Sequence, residues 1–201
     1  MATIIDWPDA LRPAMVDWGL LVPQLVGRSA FDGSVQANTI GAPRWFFSID
    51  SGPLTAALAP QWEALGDRLR GKINRLRVWD WRREAPIGPA TGTPLVRVAG
   101  SGATIATKGW TPSVTGILKA GSYMGINGEL KRLSVDLSSD GSGWGTAQFE
   151  PPLRATAPVD GAIVLVKPLA KFILTTERPS LSQKGARYPG VSWSFEEDLS
   201  P

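Results

Sequence analysis

Two carboxylates facing each other across a cleft can hydrolyse a glycosidic bond, one as general acid and the other as base or nucleophile. The chain has 18 Asp and Glu residues, scattered from Asp6 to Asp198 with no signature that pairs any two across a cleft. Thiolate and imidazole chemistry has no carrier, because the sequence contains neither Cys nor His. That removes the commonest metal ligand and proton shuttle and any disulfide frame. No catalytic residue, cofactor-binding residue or metal ligand is assigned, and an enzyme is not expected.

Three shorter motifs touch on ligand chemistry. Asp136-Leu137-Ser138-Ser139-Asp140-Gly141 has the alternate oxygen ligands and the glycine with which a calcium loop begins. The middle carboxylate and the closing glutamate are missing, so a hairpin turn centred on Ser139–Gly143 is expected instead. Gly100-Ser101-Gly102 and Gly121-Ser122-Tyr123-Met124-Gly125 have the glycines of a phosphate cradle but no following Gly-Lys-Ser/Thr, and they read as turns.

Charge is uneven along the chain. Gly66 to Arg83 carries Arg68, Arg70, Lys72, Arg75, Arg77, Arg82 and Arg83 against Asp67 and Asp80, a local +5 within a net charge of +3. Trp79 and Trp81 lie among these cations, as in a platform that stacks nucleic-acid bases. Arg75-Leu76-Arg77-Val78-Trp79-Asp80-Trp81 also alternates with the period of a half-buried strand, which favours a strand or subunit contact.

These side chains must be positioned by a mainly β fold. At 201 residues, 43% hydrophobic and 19% charged, the chain is long enough and apolar enough to bury a core. Its 22 Gly and 17 Pro demand frequent changes of direction, which suits many short strands. No apolar run reaches membrane-spanning length, and Asp6, Pro8, Asp9 and Pro13 interrupt the start where a signal peptide needs an apolar core.

From Trp7 to Pro23 the prolines leave room only for extended pieces and edge strands. Ala42 to Asp50 reads as a strand. A helix follows, with Leu54, Leu58, Trp62, Leu65, Leu69 and Ile73 on one stripe, its regular part starting near Pro60 and ending at Gly71. Glu84 to Pro94 reads as a linker, so a domain boundary is placed there. Short apolar runs then predict strands at Leu95–Val98, Thr104–Thr107, Gly116–Leu118, Tyr123–Ile126, Leu130–Leu137, Thr146–Phe149, Ile163–Val166 and Phe172–Leu174, a small antiparallel barrel or sandwich. After the turn-rich Gly185–Gly190, Val191–Glu196 predicts a last strand returning to the N-terminal body. The expected organisation is residues 1–94 as a β-sandwich body with a helix, completed by 177–201, and 95–176 as a small β domain.

Several landmarks resemble, in their order, the minor tail proteins of long-tailed bacteriophages, of the distal tail or tail-tip hub type. They are Asp6-Trp7-Pro8 with Leu11-Arg12-Pro13; Ser29-Ala30-Phe31-Asp32-Gly33-Ser34-Val35-Gln36; Gly41-Ala42-Pro43-Arg44-Trp45; the helix closing in Leu69-Arg70-Gly71; Ala120 to Ile126; and Phe149 to Arg154. The resemblance implies a β-sandwich body with a helix, a second small β domain, and a homo-oligomeric ring, usually a hexamer. Such a ring joins the tail tube protein to the baseplate hub or other tail-tip proteins in the virion, after synthesis in the host bacterial cytoplasm. It brings no catalytic residues. Nine tryptophans agree with large rigid contact surfaces. Trp79, Trp81, Arg75, Arg77, Arg82 and Arg83 are expected at a subunit interface or at the lumen, where they would meet DNA or the tape-measure protein in transit. The competing expectation is a carbohydrate- or host-receptor-binding module of a tail.

Overall fold

The computed structural model describes residues 2–177, 179–184 and 188–200. The chain is mainly β, with 45% strand, 6% helix and one helix, which is the expected class. It divides into two compact units, Met1–Leu76 with Phe172–Pro201, and Arg77–Lys171.

The elements run in chain order as β1 (Ile4–Asp6), β2 (Met15–Leu21), β3 (Gln24–Arg28), β4 (Val35–Thr39), β5 (Arg44–Asp50), α1 (Ala59–Leu69) and β6 (Arg75–Val78). There follow β7 (Gly92–Val96), β8 (Gly100–Trp110), β9 (Tyr123–Ile126), β10 (Glu129–Leu133), β11 (Gly145–Ala157) and β12 (Ile163–Val164), then β13 (Ala170–Leu174) and β14 (Ser192–Glu197).

The first unit is built on a six-stranded sheet in the order β1-β6-β13-β14-β5-β2. The two proline-bounded pieces, β1 and β2, are its edges, where the lost N–H groups of proline do no harm. Trp45, Phe47 and Ile49 alternate onto the buried face of β5. Phe172 lies two strands from Phe47, roughly 10 Å away on a flat sheet at about 4.8 Å per strand. Their ring centroids are 4.7 Å apart, and Trp18, one strand farther on, is 5.3 Å from Phe172. The expected β-sandwich body is thus realised as a sheet curled over its own aromatic core. The C-terminal β14 enters the body, inserted between β13 and β5 rather than laid along an edge. Residues 185–187 of the turn-rich Gly185–Gly190 lie outside the described residues.

Helix α1 has Pro60 in its first turn, as its free φ-compatible position predicts. It ends with Arg70 in the left-handed region at φ 48° and Gly71 at φ 63°. Trp62 packs edge-on against Trp193 and Trp7, with centroids 5.4 and 5.6 Å away. Leu65 and Leu69 are buried with it, whereas Ile73, expected on the same stripe, lies past the helix and is exposed.

The second unit is a barrel. Its strands run β12-β9-β10-β11-β8-β7, and the two end strands meet through a Leu95–Ala162 bridge, Val96 N–H to Gly161 O at 2.9 Å, and Asp160 N–H to Val96 O at 2.9 Å. Val96, Ile105, Met124, Ile126, Leu133 and Phe149 fill its interior. Strand β11 runs on through Pro151 and Pro152 by shifting register there, which is how a strand accommodates residues without N–H donors.

Three expectations are corrected. The boundary does not fall in 84–94, because that stretch is bonded into the second unit: Ala90 N–H to Ile117 O, Lys119 N–H to Ile87 O, Thr111 N–H to Thr91 O, and Ile87 N–H to the Ser122 hydroxyl. Its prolines and glycines mark a fitted cover, not a linker. Gly116–Leu118 is no strand and makes one isolated bridge, Leu118 to Leu137. The strand begun at Arg75 stops at Val78, because Asp80 folds the chain back on itself. Among the described residues, no helix is long and apolar enough to cross a membrane.

Candidate functional site

The basic, tryptophan-bearing stretch lies partly in each unit. Arg75 belongs to the first, where its Nε donates to Asp198 at 2.5 Å and its Nη1 to the carbonyls of Lys72 and Ile73 at 2.8 and 2.9 Å. It fastens the turn after α1 to the C-terminal segment. Ser200 and Arg75 hydrogen bonds outweigh burial and hold the Asp198 carboxyl below its ordinary value. Arg77 is exposed on β6.

Residues 79–83 form one patch on the second unit. Asp80 makes an Asx-type turn: its carbonyl accepts the Arg83 N–H at 2.9 Å and its carboxylate accepts the Arg82 N–H at 3.1 Å. The same carboxylate, fully buried, accepts Nε and Nη2 of Arg82 at 2.9 and 2.8 Å. Arg83 donates to Gly121 O at 2.7 Å and lies 5.9 Å from the Tyr123 ring centre. Trp79 is buried with Lys167 Nζ 4.6 Å from its ring centre, and Trp81 is tilted against it at 6.3 Å. Burial, then the nearby Asp80 carboxylate, pushes the Tyr123 phenol above its ordinary value.

The patch combines fixed charge with a buried Trp79 and a half-buried Trp81. The guanidinium of Arg82 is half exposed, yet its fork is already engaged, so the patch offers shape more than free hydrogen-bond donors. Removing the fork leaves a buried carboxylate short of two charge-assisted bonds. Arg82→Ala is expected to lower the unfolding free energy by about 1–3 kcal/mol, measured by urea titration, with Arg82→Lys restoring part of it because one ammonium replaces a two-point contact.

Sequence reasoning missed two surfaces. The first is the antiparallel ribbon β3–β4, which continues the β2–β5 pair outward through the Ile40 N–H to Pro23 O bond. Every residue of both strands is exposed, among them Leu25 (64%), Val26 (58%) and Val35 (55%), with Phe31 fully exposed at the tip. Asp32 accepts the Ser34 N–H and hydroxyl at 3.0 and 2.8 Å. Hydrogen bonds from Ser29 and Ser34 lower its carboxyl to about 2, so the tip keeps its charge and its turn in mild acid. The only signal in the sequence was Phe31 placed within a run of turn formers. The second surface is the exposed indole of Trp144.

Among the described residues, no group of three or more Asp or Glu side chains is placed to hold a metal ion. No protein-family model matches the chain, and no curated protein matches it either.

Proposed function

We propose that the chain is a structural protein of a phage tail tip. In this reading, copies of it close into a ring, a hexamer by the family resemblance, that connects the tail tube to the baseplate or receptor-binding apparatus. The ring takes part in tail assembly and DNA delivery, and its partners are itself, the tube protein and the tail-tip hub, with DNA or the tape-measure protein in transit.

The observation that carries this reading is the β3–β4 arm. An isolated two-stranded ribbon is marginal in water, and this one displays Leu25, Val26, Phe31, Val35 and Ile40 to solvent. Such a surface, with two unpaired edges, is stabilised when another chain covers it. In a homo-oligomer every copy both extends an arm and receives one, and a head-to-tail contact of that kind closes into a ring when its rotation divides the circle. The landmark order from Asp6 to Arg154 supports the tail-tip reading of that ring, and the arm lies at its Ser29–Gln36 landmark.

Light scattering and negative-stain microscopy of the full chain test it. The expected result is a single species at six times the 21.5 kDa chain mass, seen as a closed ring with a central hole. A monomer that persists at high protein concentration overturns the proposal.

A further inference from the structure

The geometry points to a second binding site, for a neutral carbohydrate, on the outer face of the barrel around Trp144. This site is independent of the ring: a monomer would carry it equally well.

Trp144 ends the turn that begins at Asp140 and leads directly into β11. Asp140 Oδ1 accepts the Trp144 N–H at 2.9 Å and the Ser142 N–H at 2.8 Å, and the Asp140 N–H returns to Trp144 O at 2.8 Å. Gly143, at φ 71°, comes so close to the Trp110 carbonyl that a Cβ would collide with it. The backbone under the indole is therefore fixed. The ring is fixed as well, because the Arg97 guanidinium lies 4.4 Å from its centre. With the Arg97 guanidinium over its ring, Trp144 still exposes 43% of its surface. An indole set in this way presents a large amphipathic ring to solvent, a surface on which a ligand with an apolar face can stack.

The strand register says what surrounds it. Thr107 and Ala147 are fully buried on the inner face, so Ala106, Thr146 and Gln148 point outward. Thr146 pairs with Ala106 and Gln148 with Thr104, while the Arg97 N–H donates to Ala106 O at 2.8 Å. The outward face of β8 and β11 beyond the indole thus carries the exposed polar side chains of Thr146, Gln148 and Thr104. A pyranose has an apolar C–H face that can lie on an indole and a rim of hydroxyls that need both donors and acceptors. Thr hydroxyls and a Gln amide supply both.

Charge decides against the other flat ligand, a nucleobase. A single-stranded nucleic acid needs cations along its backbone. Here Lys108 is paired with Asp160 at 2.5 Å, Arg97 lies against the indole, and Asp140, in the turn beneath it, carries the opposite charge. The strip suits an uncharged polyhydroxyl ligand.

The test titrates the full chain with neutral oligosaccharides of glucose, galactose, rhamnose and N-acetylglucosamine, and with an oligothymidylate as the polyanion. Binding of at least one saccharide is expected, weakened about tenfold or more by Trp144→Ala and partly retained by Trp144→Phe. Should Trp144→Ala fail to fold, Gln148→Ala carries the same test from the exposed rim, with a smaller loss. The inference is overturned if no saccharide binds at millimolar concentration, if binding ignores these variants, or if the oligothymidylate binds in preference. It is also overturned if Trp144→Ala changes the oligomeric mass, which would mean that another copy covers this face. Because mass and saccharide binding are read separately, failure of the ring and failure of this site give different results.

Discussion

Glu129→Leu is expected to lower the unfolding free energy by about 3–5 kcal/mol, more than Lys131→Met at the other end of the same ion pair. In β10 the partner register sets Glu129 opposite Ile126 and Lys131 opposite Met124, both interior residues of the barrel. Lys131 is fully buried, its Nζ donating to Glu129 Oε2 at 2.7 Å and to Pro152 O at 2.9 Å. Glu129 does more than neutralise it. Its carboxylate also accepts the N–H groups of Arg154 and Ala155 at 3.2 Å, with Arg154 Nε 3.4 Å away. Those two amides lie where β11 has shifted register away from β8, so the side chain stands in for a missing strand partner. Loss of Glu129 strands a buried ammonium and two amides together. Loss of Lys131 leaves the carboxylate still held by Arg154 and the backbone. Urea titration of both variants separates them, and equal losses would refute the stand-in role.

The pH dependence follows from the same contacts. Burial alone would raise the Glu129 carboxyl, but hydrogen bonding and charge from Lys131, with the Arg154 amide, outweigh it and hold the group below its ordinary value. A carboxyl whose folded value is depressed stabilises the fold above its unfolded value, about 4.3, and loses that contribution as pH falls through the folded value. The parent protein should therefore weaken on acidification below roughly pH 4, and Glu129→Leu should weaken less over that window.

Much of the frame was legible because burial wrote itself into periodicity. In Arg44–Asp50 the apolar Trp45, Phe47 and Ile49 recur at every second position since one face of β5 is core, and β14 repeats the pattern in Trp193 and Phe195. Pro60 marked the start of α1 by its fixed φ. Tyr123–Ile126 matches β9 residue for residue. The same logic failed where burial and polarity part company. The strand expected at Leu130–Leu137 is β10, Glu129–Leu133, and two of its charges face in, held by the carbonyl of Pro152 and the amides of Arg154 and Ala155, distant in sequence. Asn127-Gly128, both at positive φ, is the tight two-residue hairpin turn of the barrel, although Ser139–Gly143 promised the clearer one. The arm left no stripe to read, because neither face of Gln24-Leu25-Val26-Gly27-Arg28 meets a core.

That same lack of a stripe leads to the variant with the largest functional effect: replacing residues 24–39 by a two-residue Asn-Gly turn is expected to convert the proposed ring to monomers. The cut is clean. Ile40 already hydrogen-bonds to Pro23 at 3.0 Å, and the β2–β5 register runs unbroken from Met15–Asp50 to Leu21–Arg44, so a tight turn can close the shortened hairpin without moving the sheet. Because β3 and β4 bury nothing against their own body, the monomer should keep its thermal midpoint within a few degrees. Assembly has no such reserve. Fully burying a side chain such as Leu25, Val26, Phe31 or Val35 contributes roughly 1.5–3 kcal/mol, and losing several of them at every junction of a ring exceeds what a specific interface can spare. Phe31→Asp tests the same contact with one side chain, placing a charge where an apolar anchor sat, and should shift the mass distribution toward monomer without touching the fold. A full-size ring from the turn-replaced chain would show that the copies meet elsewhere, and the search for the interface would then move to the patch around Trp79 and Arg83.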